Sequence, residues 1–232
     1  MLTTSRSTCL CKLNIQEGGL LLIKSTGYRI EDTVHKGTTT VAIVCQDSVV
    51  FGTDTRVTAG YYVAHKCGKK VYKIDEHLAM TIAGVVADAQ NVVEILKVNA
   101  SLFRLGNNRP MMVSAASRLA ANILFSYRRF PLILQALIGG VDSSGAHVFA
   151  VDPYGSLIEE TCVSTGSGSP IAYGVLEEGY RKNMTVKEGI SLVVSAVTSA
   201  MKRDIGSGDS FDVAIIGKDG YRELTDEEKK KI

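Results

Sequence analysis

Once other nucleophile patterns are set aside, the residues best placed to do chemistry are Gly37-Thr38-Thr39-Thr40, a glycine ahead of three threonines. A threonine hydroxyl is a weak nucleophile until a base takes its proton. Were the peptide bond before Thr38 cut, the freed α-amine would lie within reach of its own Oγ. Its ordinary pKa of about 7.7–8.0 suits a general base near neutral pH. Gly37 favours such a cut, because a backbone without Cβ can bring the Thr38 hydroxyl onto the Gly37 carbonyl. The same residues also read as a β-branched strand entry, and by themselves they leave both readings open.

Competing chemistries lack their patterns. Ser167 has Thr165 and Ser169, and Ser207 has Ile205 and Asp209, where a G-x-S-x-G elbow requires glycines. No H-E-x-x-H, phosphate-binding G-x-x-x-x-G-K-[ST] or dinucleotide-binding G-x-G-x-x-G occurs. His35, His65, His77 and His147 have no metal-ligand spacing, and Cys9/Cys11 have no second pair. The cysteines number five and are scattered, which argues against a secreted disulfide scaffold. The expectation is a cytoplasmic protein with no metal and no cofactor.

Composition narrows the class further. The 232 residues are 45% hydrophobic and 22% charged, enough to fill a single large core. The formal charge of +2 provides no basic surplus for nucleic acid. The longest apolar stretch, Phe130–Val141, is far short of the roughly 20 residues that a membrane-spanning helix needs. Residues 1–37 carry five basic and three acidic side chains, so the whole net charge lies in this leader.

The elements that must position Thr38 follow from periodicity. Thr39–Cys45 and Ser48–Thr53 read as a hairpin, as do Tyr61–His65 and Val71–Ile74, with Leu78–Ile82 a further strand ending at Gly84. Val85 to Phe103 and Val113 to Ile123 carry helical spacing, with Pro110 suiting the first turn of the second helix. Strands resume at Leu132–Ile138, His147–Val151 and Leu157–Val163. A third helix starts near Pro170, and a fourth follows the capping box Thr185-Val-Lys-Glu188. Phe211–Ile216 is the last strand, and Asp226–Lys231 reads as a solvated charged tail. Two sheets packed face to face, each covered by a helix pair, satisfy this order: an α+β, four-layer αββα sandwich.

Several segments together resemble one family. Thr38-Thr-Thr-Val-Ala-Ile43, Gly52-Thr-Asp-Thr-Arg56, His65-Lys-Cys-Gly-Lys-Lys70 and Met80-Thr-Ile-Ala-Gly84 are similar to the start of mature 20S proteasome β subunits, the N-terminal threonine proteases. Asp88-Ala-Gln90, Ser164-Thr-Gly-Ser-Gly-Ser-Pro170, Tyr173-Gly-Val-Leu176, Arg203-Asp204 and Ser207-Gly208 continue the likeness to about residue 224, most nearly to the archaeal type. The fold implied is that of the N-terminal nucleophile hydrolases.

The resemblance implies roles. Thr38 matches the nucleophile and Gly37 the last residue of a removed propeptide, which divides the chain into a propeptide, 1–37, and a catalytic domain, 38–232. Asp54 and Lys70 match the acidic and lysine partners of the threonine; without the family pattern each reads as an ordinary surface charge. Gly84 matches the oxyanion-hole position. Ser167, Asp204 and Ser207 match the group around the threonine amine, although the Gly/Ser run alone reads as a flexible linker or an anion-binding nest. Val57, Tyr72, Ile82 and Val86, with Thr58, match substrate-binding positions; the pocket is apolar and without an acidic residue, which implies cleavage after hydrophobic residues.

The implied activity is that of an autoprocessed threonine endopeptidase that degrades unfolded proteins. Its implied partners are proteasome α subunits and other β subunits in stacked heptameric rings, with a regulatory ATPase acting through the α ring. The 37-residue leader is longer than archaeal-type propeptides usually are, and while attached it ties up the Thr38 amine. The alternative is a non-catalytic structural β subunit needed for ring assembly, in which the seven-residue set would have eroded.

Overall fold

A computed structural model describes residues 37–232. Within the central strands, apolar side chains alternate between two environments, and that alternation sets the layering. One antiparallel sheet is built from β1 (Thr40–Val44), β2 (Val49–Asp54), β10 (Cys162–Thr165), β11 (Phe211–Gly217) and β12 (Gly220–Glu223), in the order β10-β1-β2-β11-β12. The other contains β5 (Val71–Asp75), β6 (Leu78–Gly84), β7 (Leu134–Asp142), β8 (Gly145–Val151) and β9 (Leu157–Glu160), in sequential order.

Ala42, Phe51, Ala79, Leu137, Val148, Ala214 and Ile216 face one another between the sheets. Their neighbours in sequence point outward. Val41, Ile43, Val50 and Val213 meet Leu176 of α3 (Ser169–Gly179) and Val193 and Val197 of α4 (Val186–Met201). Met80, Ile82, Leu134 and Ile138 meet Val92 and Leu96 of α1 (Val86–Asn107) and Ala116 and Leu124 of α2 (Val113–Ser126). Each fully buried Val, Leu, Ile or Phe adds about 1.5–3 kcal/mol relative to exposure. Three such clusters produce the four αββα layers anticipated from the element order. No helix among the described residues is long and apolar enough to cross a membrane.

Four expectations are corrected. Tyr61–His65 does not pair with Val71–Ile74; β4 (Tyr62–His65) folds back on β3 (Val57–Ala59) as a separate two-stranded sheet. The single strand expected over Leu157–Val163 is broken. β9 pairs with β8, and β10 crosses to β1 in the opposite sheet. Pro110 precedes the helix rather than opening it, since Met112 is the N-cap of α2. The charged tail contains a short helix, α5 (Asp226–Lys229), closed by a Thr225/Glu228 capping box and tied to β11 by Lys229 Nζ on Asp212 Oδ1 at 2.8 Å. The Thr185/Glu188 box at the head of α4 is present with both arms. Of the leader expected over residues 1–37, only Gly37 lies within the described residues.

Candidate active site

Thr38 and Thr39 lie immediately before β1, and β1 pairs with β2 so that Thr40 faces Thr53. That register brings Asp54, the last residue of β2, beside Thr39: the Asp54 amide donates to the Thr39 carbonyl at 3.1 Å, and the Thr39 amide donates to Asp54 Oδ1 at 2.9 Å. Lys70 arrives from the opposite sheet, just ahead of β5, its carbonyl accepting from the Ile82 amide at 3.0 Å. Its Nζ donates to Asp54 Oδ1 at 2.7 Å. Asp54 has no exposed surface and Lys70 retains 5%.

The Asp54 carboxylate is saturated. Its second oxygen accepts from the amides of Arg56 at 3.0 Å and Gly208 at 3.1 Å. Burial lowers the Lys70 pKa from its ordinary value, because an ammonium out of water is disfavoured; the Asp54 charge opposes that shift and does not cancel it. Lys70 therefore gives up a proton more readily than a solvated lysine.

A second network reaches Thr38 from the other side. The Thr38 amide donates to Ser167 Oγ at 3.2 Å, and Ser167 Oγ donates to Asp204 Oδ2 at 2.6 Å. Ser207 Oγ donates to the same Asp204 oxygen at 2.6 Å and lies 2.7 Å from Thr39 Oγ1. Asp204 thus ends two converging chains that start on adjacent threonines. Thr39 lies outside the set that the family pattern marks, although the triple threonine is its visible signal.

The Gly/Ser run is neither a linker nor a nest. A Cβ at Gly166 would lie 2.1 Å from the Thr38 carbonyl oxygen, and one at Gly168 2.0 Å from Thr39 Oγ1. The alternating glycines let this backbone lie directly on the two threonines, with the Gly168 amide 3.3 Å from the Thr38 carbonyl oxygen, and present Ser167 between them.

The junction at Gly37 is equally close-packed. A Cβ on Gly37 would stand 1.8 Å from the Gly206 Cα. The Gly37 amide donates to Thr58 Oγ1 at 2.9 Å, and Thr38 Oγ1 donates to the Gly37 carbonyl oxygen at 2.6 Å. The hydroxyl of Thr38 therefore lies against the carbonyl that precedes it. Gly84 ends β6 at φ +135°, and a Cβ there would meet the Ile133 carbonyl oxygen at 2.1 Å, so glycine is required by packing as well as by backbone.

Gly37, Thr38, Val57, Thr58, Lys70, Ile82, Gly84 and Val86 line one pocket, joined by Arg56 and Lys69 at its polar side. Tyr72 is not among them. It shares an adjacent depression with Val57, Val86, Cys67 and Gln90, because its position on β5 directs it along the outer face of that sheet toward α1. The pocket is also not wholly apolar: it includes three cationic side chains, Arg56, Lys69 and Lys70, and no acidic one. Elsewhere Ser144, His147 and Glu159 form a chain of contacts at 2.9 and 2.6 Å, but the Ser144 hydroxyl also donates to Asp142, so it is not free as a nucleophile.

A sandwich of this layering with a buried threonine at the head of its first strand defines a class, and comparison with known proteins agrees. The proteasome subunit family model matches residues 34–216, and the chain belongs to that family. It is 49% identical over 197 residues to the proteasome subunit beta of Methanothermobacter thermautotrophicus, covering 84% of this chain and 94% of the relative. It is 48% identical over 204 residues to that of Ferroglobus placidus, covering 88% and 97%. With that of Methanocaldococcus jannaschii it shares 50% over 201 residues, covering 86% and 90%. Its function is that of a proteolytic β-type subunit of the proteasome family.

Proposed function

We propose that this chain is a threonine endopeptidase that releases its own leader at Gly37-Thr38 and then cuts other polypeptides with the same hydroxyl. The observation that carries the reading is the 2.6 Å contact of Thr38 Oγ1 with the Gly37 carbonyl oxygen, beside a buried Lys70–Asp54 pair.

In the precursor, Thr38 Oγ attacks the Gly37 carbonyl carbon. The new C–O bond replaces the C–N bond, and the hydroxyl proton ends on the Thr38 nitrogen. Water then hydrolyses the ester, which restores the hydroxyl and leaves Gly37 with a free carboxylate. In the mature enzyme the α-amine, held by Ser167 and the Asp204 network, accepts the hydroxyl proton during attack on a substrate carbonyl. Lys70 stabilises the developing alkoxide, and Asp54 keeps that lysine oriented. The Gly84 amide supplies the oxyanion contact, an element typically worth 10²–10³ in rate. Val57, Ile82 and Val86 receive the apolar side chain before the cut bond, with Thr58 alongside.

The same reading places the mature subunit with proteasome α subunits and other β subunits in stacked rings, with a regulatory ATPase feeding unfolded chains through the α ring in the cytoplasm. Intact-mass spectrometry of particles co-produced with an α subunit tests it. The expected mature chain begins at Thr38, and Thr38→Ala retains the leader, assembles and is inactive. Fully assembled wild-type particles that keep the leader would instead support the structural-subunit alternative.

A further inference from the structure

Arg56 follows Asp54 by two residues and spans from the end of β2 to the 205–209 loop. Its Nε donates to Asp209 Oδ2 at 2.8 Å and its Nη1 to the Ile205 carbonyl oxygen at 2.9 Å. Between those two points lie Gly206, Ser207 and Gly208. The guanidinium also lies directly against Gly208, where a Cβ would stand 2.4 Å from its Cζ and Nη2. One rigid planar group therefore bridges both ends of a three-residue segment and covers its last residue.

Every residue of that segment touches the Thr38 centre. Gly206 backs Gly37, Ser207 donates to Asp204, and the Gly208 amide donates to Asp54. Asp209 sits at φ +67°, a left-handed conformation that asparagine and aspartate tolerate better than other non-glycine residues. The ion pair lies at the surface, with the Arg56 and Asp209 side chains 24% and 19% exposed, so the grip comes from its two-point geometry rather than from burial. We infer that Arg56 is a positioning residue: by gripping Asp209 and the Ile205 carbonyl together, it holds Gly206-Ser207-Gly208 in register with Asp204 and Asp54. The inference rests on the threonine-peptidase reading for its catalytic consequence, but not for the grip itself.

The test uses assembled particles carrying Arg56→Met, Arg56→Lys, Asp209→Gly or Asp209→Asn, with two readouts. One is backbone amide exchange across residues 204–210; the other is kcat and KM for a peptide ending in Leu. Asp209→Gly removes the carboxylate while keeping the left-handed backbone free of strain, and Asp209→Asn keeps an acceptor oxygen. Arg56→Met and Asp209→Gly should speed exchange in the segment about tenfold or more. They should also lower kcat by about tenfold or more with KM within about twofold. Asp209→Asn should recover most of both, while Arg56→Lys, a single-point donor, should not.

Unchanged exchange in both Arg56→Met and Asp209→Gly overturns the grip, and faster exchange with unaltered kcat overturns its catalytic consequence. An Asp209→Asn variant as impaired as Asp209→Gly also overturns it. A Thr38→Ala particle sets the background: wild type no more active than this control sinks the peptidase reading, and amide exchange then decides the grip on its own.

Discussion

Lys70 Nζ stands 2.7 Å from Asp54 Oδ1 with both side chains shut away from water, and the two residues come from opposite sheets of the sandwich. The pair therefore ties the layers together at the point where Thr38 is held. Removing one member leaves a buried charge alone, which typically costs about 3–5 kcal/mol. Asp54→Ala should lower the thermal midpoint of the particle and abolish turnover. Lys70→Arg should also be inactive, because a planar guanidinium keeps the charge but does not fit the single-point contact on Asp54 Oδ1 that orients Lys70. Near-normal peptide hydrolysis by Lys70→Arg would show that charge alone suffices.

The lowered Lys70 pKa also predicts a slope of stability with pH. A lysine whose folded pKa lies below 10.5 destabilises the fold while charged; the penalty is full below the folded pKa and disappears as pH rises to the unfolded value. Wild-type stability should therefore rise with pH in the window just below 10.5, relative to Lys70→Met. Parallel denaturation curves for the two proteins across that window would contradict the assignment.

Ser167 and Ser207 each donate to the Asp204 carboxylate at 2.6 Å. A hydrogen bond to a charged group is worth about 1.5–3 kcal/mol. Expressed in the transition state, that loss lowers kcat about 10- to 100-fold. Ser167→Ala and Ser207→Ala should each fall in this range in steady-state assays, with the double variant less impaired than the product of the two, since both act through one carboxylate.

The space at Gly37 has a direct consequence for processing. With Gly206 Cα 1.8 Å from the place of a Cβ, Gly37→Ala must displace the junction before the hydroxyl can attack. Leader removal should slow by about tenfold or more, as a misplaced attack geometry implies. Time-resolved intact-mass measurement would read this, and subunits that do mature should show normal peptidase rates.

Pocket composition predicts a preference. Val57, Ile82 and Val86 provide the apolar wall, Arg56 and Lys69 beside it are paired with Asp209 and Glu223, and no acidic side chain lines the pocket to attract a basic one. Peptides ending in Leu or Tyr should have higher kcat/KM than those ending in Arg. Dominant cleavage after Arg would reject the assignment of this pocket to the residue before the cut bond.

Much of the layering was legible because strand alternation is a local property. Val41 and Ile43 face helices while Ala42 faces the other sheet, and the period of two says as much without coordinates. The Thr185/Glu188 box was equally readable, since its two partners are three residues apart. Periodicity names a face but not a partner, which is why it pairs β4 with the wrong strand and runs Leu157–Val163 together as one strand where the structure has two in different sheets. The break at Thr161 falls between two apolar runs that local pattern cannot separate.

The site divides along the same line. Sequence alone determined that Thr38, Asp54, Lys70, Gly84, Ser167, Asp204 and Ser207 belong to one pattern, through residue types and spacings that only a family resemblance connects. Tertiary structure decided what each touches. It turned a Gly/Ser run into a close-fitting cradle for two threonines, moved Tyr72 into a neighbouring depression and brought in Thr39 and Arg56. The physical reason is that a glycine records only a missing side chain, and a charge only its sign. What fills that space, or balances that charge, comes from residues up to 169 positions away, as Gly206 against Gly37 does.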